Sequence, residues 1–165
     1  MINRRQLLLT TAGGVALLIG SRWLGSSTVE AATAFEIQKT DAAWRKLLTP
    51  AQYNVLRRNG TEPAGSSPLD HEKRKGLFQC AGCDLPLFSS ETKFDSGTGW
   101  PSFYKPLPKA VGTSEDRSSV ILQTEVHCRR CGGHLGHVYN DGPKPTGLRY
   151  CMNGVAMKFL PDKFS

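Results

Sequence analysis

A chain of 165 residues has room for one domain and a terminal segment, but not comfortably for two domains. Its 17 Gly, 10 Pro and 39% hydrophobic residues describe a turn-rich globular protein and exclude a disordered one. The net charge of +7 is scattered: Arg4, Arg5 and Arg22 against Glu30 give residues 1–34 +2 and leave +5 for the rest. The later clusters Lys73-Arg74-Lys75 and Arg129-Arg130 lack interleaved aromatics, so they read as solvated surface and no nucleic-acid partner is expected.

Residues 1–34 look like an address. Asn3-Arg4-Arg5 leads an apolar run to Gly20 that is too short and too interrupted for a membrane span, and Ala31-Ala32-Thr33-Ala34 offers an A-x-A-like cleavage site. Adjacent arginines before a moderately apolar run resemble a twin-arginine export signal. The expectation is export to a bacterial periplasm, with no stable membrane association once the signal is removed; the alternative is an uncleaved N-terminal anchor. Either way residues 35–165 form the working domain, outside the cytoplasm.

Within that domain, residues 40–48 carry Ala42, Ala43, Trp44, Leu47 and Leu48 and suggest a short helix. A second helix starts at Thr49, where Thr49 can cap, Pro50 suits the first helical position and Gln52 can complete a capping box. Asn59-Gly60 stops it. A polar loop at 60–70 follows, and then short β-type segments separated by Gly and Pro, the best at 77–80, 118–125 and 149–153. With no repeat and no βαβ alternation, the expected fold is a mainly β domain with a short helical prelude.

Cys80-Ala81-Gly82-Cys83 and Cys128-Arg129-Arg130-Cys131 are two C-x-x-C knuckles. Together they supply the four soft ligands of a tetrahedral structural zinc site. Disulfides, or redox use of one pair, remain alternatives for an exported chain. The fifth cysteine, Cys151, is either a small buried core residue or a nucleophile. A strand over 149–153 puts Arg149, Cys151 and Asn153 on one face, where the arginine favours a thiolate and Asn153 offers an amide. His134 and His137 can donate protons near neutral pH. A regular strand would point them apart, and a bend or bulge at Gly136 would let them converge.

Cys80–Cys83, the stretch 91–103 (Glu-Thr-Lys-Phe-Asp-Ser-Gly-Thr-Gly-Trp-Pro-Ser-Phe), residues 128–141 and residues 147–153 together resemble the methionine-R-sulfoxide reductases of the B type. The likeness spans most of residues 40–160. It implies curved antiparallel sheets with one zinc ion held by the two knuckles, and Cys151 as the nucleophile that reduces the R epimer of peptide-bound methionine sulfoxide and becomes a sulfenic acid. It further implies that Trp100 packs against the substrate methyl group and that His134, His137, Asp141, Arg149 and Asn153 surround the sulfoxide, with Asp141 orienting a histidine or a water. A monomeric protein-repair enzyme for oxidised proteins is the expectation.

Two positions depart from the family pattern. Thr98 stands where many relatives carry a resolving cysteine, which implies recycling by an external thiol such as a thioredoxin-like protein. Gly154 stands where Ser is frequent, with a minor change in pocket hydrogen bonding expected. The competing readings are a thiol–disulfide oxidoreductase using one C-x-x-C, against which the absence of βαβ context argues, and a zinc-knuckle binding module.

Overall fold

The computed structural model describes residues 35–118 and 121–162. The export-like segment 1–34 lies outside the described residues. Two short helices come first, α1 (Asp41–Leu47) and α2 (Pro50–Arg58). Thr49 and Gln52 form the expected capping box, Pro50 opens α2, and Asn59 closes it in the left-handed conformation at φ 55°. Trp44, Val55 and Leu56 are buried, and the Arg57 guanidinium lies 4.4 Å from the Trp44 ring centroid, joining the two helices.

The rest is antiparallel β-structure. One sheet has the order β2-β1-β9, from β1 (Gly76–Cys80), β2 (Pro86–Ser89) and β9 (Met157–Pro161). The other has the order β3-β4-β8-β7-β6-β5, from β3 (Lys93–Phe94), β4 (Ser102–Phe103), β5 (Val111–Asp116), β6 (Gln123–Cys128), β7 (His134–Tyr139) and β8 (Arg149–Met152). Period-two alternation on β1 buries Phe78 and Cys80 on one face. Phe103 of β4 meets Phe78 edge-on at 4.9 Å and stacks on Phe88 of β2 at 4.3 Å, so these three rings join the two sheets.

The expected mainly β fold is therefore present, with one strand misplaced. The strand expected over 118–125 begins only at Gln123, as β6, where Gln123 pairs with Asp116 of β5; residues 119 and 120 lie outside the described residues, and the Ser118 N–H donates to Asp116 Oδ1 (2.9 Å). Ile121 and Leu122, whose aliphatic character suggests a strand, are 75% and 59% exposed. β5 carries no strand signal in the sequence because Val-Gly-Thr-Ser-Glu-Asp is an edge strand with little apolar burial.

Candidate active site and metal centre

Each knuckle is a turn at the end of a strand. After β1, Asp84 N–H donates to Cys80 O (2.9 Å); after β6, Gly132 N–H donates to Cys128 O (2.8 Å) with Gly132 at φ 65°. The four sulfurs lie within 4.8 Å of one another, at 3.7 Å for Cys80–Cys131 and 3.5 Å for Cys83–Cys128. A tetrahedral zinc with sulfurs at about 2.3 Å needs S···S edges of roughly 3.8 Å, so the donor set fits that ion. These two approaches run between knuckles, which suits a four-thiol clamp better than two separate C-x-x-C redox pairs. Hydrogen bonds from its neighbours, Cys128 first, hold the Cys131 thiol below the ordinary range, while Cys80 is pushed up by the same sharing and by burial. Arg57 donates to Cys131 O (3.1 and 3.2 Å) and approaches its sulfur at 3.7 Å, placing a positive charge beside the cluster.

Cys151 lies elsewhere, on β8 between β4 and β7. The register opposes it to Ser102 on one side and His137 on the other; Glu125 then faces His137, and Ser114 faces Glu125. Directly opposed residues share a sheet face. Strand pairing alone thus draws the row Ser102, Cys151, His137, Glu125, Ser114 across five strands. Between β6 and β7 the register jumps: Val126 pairs with Gly136 but His127 with His134, which leaves Leu135 as the extra residue of a bulge. This distortion, next to Gly136 where one was expected, brings the imidazoles together with centroids 5.3 Å apart. Gly136 also allows close strand packing, since a Cβ there would strike Cys151 O.

Each imidazole is held by a carboxylate that sequence reading missed. His137 Nε2 donates to Asp116 Oδ2 (2.7 Å), and His134 Nδ1 donates to Glu125 Oε1 (2.8 Å). The Asp116 carboxyl is held far below its ordinary range, first by His137 and then by Ser118. Burial works against ionisation of Glu125, but hydrogen bonds from Ser114 and His134 win and its carboxyl is lowered. His134 is 1% exposed, and burial depresses it despite Glu125. No local pattern marks Asp116 or Glu125, because both reach the histidines only through strand register.

A cleft of about 170 Å³ opens on Cys151, lined among others by Trp100, His137, Gln123, Tyr139 and Asn153. His134 does not line it. Thr98 Oγ1 lies 3.9 Å from Cys151 Sγ and 2.8 Å from Ser96 Oγ, which is 2.8 Å from Ser102 Oγ. Burial pushes the Cys151 thiol up, and this outweighs the opposing pull of Thr98, Arg149 and Ser102. The arginine therefore favours the thiolate, as its place on this face implies, without prevailing. Arg149 stacks over Tyr139 at 4.5 Å and grips Asp141 with two hydrogen bonds (2.9 and 2.8 Å). Asp141 thus orients the arginine; the carboxylates on the histidines are Asp116 and Glu125. Asn153 is nearly buried, with Oδ1 accepting from Glu62 N–H (2.9 Å) and Nδ2 donating to Leu135 O (3.0 Å), which leaves one amide hydrogen uncommitted. At Gly154 the departure is steric: a Cβ would collide with the Ser67 side chain, outside the Cys151 cleft.

A larger groove of about 550 Å³ runs between α2, the 61–69 loop and β9, walled by residues such as Val55, Leu69 and Phe159. It contains neither cysteine nor histidine, so the chemistry belongs to the smaller cleft.

This geometry defines a class before it defines a member: a mainly β thiol protein in which a lone cysteine lies opposite a carboxylate-held imidazole on the neighbouring strand, with a separate four-thiol clamp for metal. The SelR-domain family model matches residues 48–161, and the chain belongs to that family, the methionine sulfoxide reductases of the B type. It is similar to the peptide methionine sulfoxide reductase MsrB of Agrobacterium fabrum, 52% identical over 130 residues that cover 78% of this chain and 96% of that protein. Proteins of the same name from Leptospira interrogans (52% over 129 residues; 78% and 98%) and Pseudomonas syringae (52% over 127; 76% and 97%) are equally similar.

Proposed function

We propose that the protein reduces the R epimer of peptide-bound methionine sulfoxide to methionine, with Cys151 as nucleophile. The observation that carries this is the pairing of Cys151 with His137 across β7 and β8, at a cleft walled by Trp100. The indole face receives the substrate methyl group and leaves the sulfoxide oxygen toward His137. A sulfoxide oxygen leaves only when protonated. The Cys151 thiol, kept protonated by burial, supplies a proton that His137 passes to the oxygen while Cys151 sulfur attacks the sulfoxide sulfur. The hydroxyl so formed then passes from the substrate sulfur to Cys151 sulfur as the S–O bond and the transient S–S bond break, so Cys151 becomes a sulfenic acid, methionine departs, and the sulfoxide has been reduced by two electrons. Asp116 holds the imidazolium that forms in transit.

Thr98, beside Cys151, leaves no cysteine at that place to resolve the sulfenic acid. An external thiol, from a thioredoxin-like protein, attacks Cys151 with loss of water; a second thiol then releases the reduced enzyme and a disulfide. Cys80, Cys83, Cys128 and Cys131 would hold one structural zinc, which would supply folding energy and, with four thiolate ligands, take no part in the reaction. The protein acts as a monomer in the periplasm, delivered by the twin-arginine-like segment around Arg4-Arg5, and repairs oxidised proteins there. Turnover of resolved R and S sulfoxide peptides with dithiothreitol tests the core of this reading. The expected result is reduction of the R epimer alone, abolished in Cys151→Ser; folded, zinc-loaded wild type without turnover overturns it. Mass spectrometry of substrate-oxidised enzyme should find no intramolecular disulfide at Cys151.

A further inference from the structure

Glu62 belongs to no motif of the sequence, yet it is a charged residue only 8% exposed, and no ion pair engages it among the described residues. Its main chain turns toward two residues that wall the Cys151 cleft, and its side chain toward the turn that follows β8. Its backbone N–H donates to Asn153 Oδ1 (2.9 Å), and its carbonyl accepts from Trp100 Nε1 (3.0 Å). Its carboxylate accepts from Gly154 N–H (2.5 Å) and Val155 N–H (2.9 Å), at the start of the 3₁₀ turn Gly154–Ala156 directly after β8. A buried carboxylate is costly unless charge-assisted hydrogen bonds satisfy it. Here both oxygens are satisfied by backbone N–H groups, so the side chain anchors the backbone whose own N–H and C=O hold Asn153 and Trp100. Side chain and main chain act as one bracket from the loop after α2 to two walls of the cleft.

We propose that Glu62 is a positioning residue for the reduction: it fixes the Trp100 indole and the Asn153 amide relative to Cys151, and so sets where the sulfoxide methyl and oxygen sit. The proposal rests on the reductase reading above. Losing an anchor changes substrate placement more than the thiol, because Cys151 is held independently by its pairing with β4 and β7.

The test is Glu62→Gln, which keeps the size but sets an amide N–H₂ against a backbone N–H. The expected result is a KM for the R-sulfoxide peptide raised roughly tenfold or more, a smaller change in kcat, and unchanged zinc content and Cys151 alkylation rate. The Trp100 indole N–H resonance should move in the NMR spectrum of the substrate-free protein, which a purely stabilising role would leave in place. Should Gln fold poorly, Glu62→Asp, with both acceptors on a shorter stem, is read in the same way. A folded, zinc-loaded variant with wild-type KM and an unmoved indole resonance overturns the proposal. If wild type turns over no sulfoxide, the reductase reading falls, while the resonance still decides whether Glu62 positions Trp100.

Discussion

The proposed reaction makes two demands of Cys151 that pull in opposite directions: attack needs a thiolate, and the sulfoxide oxygen needs a proton. Burial favours the protonated thiol. The rate of Cys151 alkylation by iodoacetamide in substrate-free enzyme should therefore keep rising as pH passes the ordinary thiol range. Arg149→Ala should slow it at pH 8, because Arg149 opposes burial by favouring the charged form. A midpoint below neutrality in wild type would contradict both the burial argument and the proton route. The histidines divide by position: His137 lines the cleft, and His134 lies buried behind it. His137→Ala should lower kcat by roughly 10² or more, the usual range for a lost acid–base group. An equal loss of kcat in Asp116→Asn would assign most of that effect to the held imidazole.

At the scale of elements, the site is a product of strand register. Regular alternation would send His134 and His137 to opposite faces, and the extra residue at Leu135 reverses this. On the other side of β7, β8 packs close, and Gly136 permits the approach. Gly136→Ala should cost about 2 kcal/mol or more in urea unfolding, since its Cβ meets the backbone of β8 and neither strand can yield without breaking the ladder. An unchanged midpoint would mean that β7 and β8 are not as tightly apposed as their register requires. The helical prelude is tied down differently. Thr49→Ala removes one half of the capping box and should cost about 1 kcal/mol, with turnover unaffected because α2 presents no group to the cleft.

For the whole molecule, the four-thiol clamp joins β1 to the end of β6, segments that lie 45 or more residues apart in the chain. Chelation should therefore unfold the domain, with loss of near-ultraviolet circular dichroism as one zinc per chain is released; retention of native dichroism after metal removal would reduce the clamp to a local feature. Acid should act in two stages. His134 is held neutral by burial, so the unfolded chain binds a proton that the native one refuses, and stability falls as pH drops below about 6.5. Asp116 and Glu125 are lowered, so their contribution is complete above about pH 4 and is lost as pH falls further, through their folded values. Stability flat from pH 7 to 5 would argue against a neutral buried His134. Cys80, Cys83, Cys128 and Cys131 were legible in the sequence because spacing within a knuckle is local, and so were the caps of α2, whose partners lie three residues apart. Cys151, Trp100 and the two histidines stood out through motif likeness, and Arg149 and Cys151 through simple alternation. Asp116, Glu125 and Glu62 did not, because their partners lie 9 to 93 residues away and only the pairing of strands and the return of the chain after α2 bring them together. Sequence by itself determined the chemistry available, since reactive groups are carried by residue type and short spacing. Tertiary structure decided which group holds which, because a hydrogen bond across a sheet depends on register, and register is a property of the packed whole.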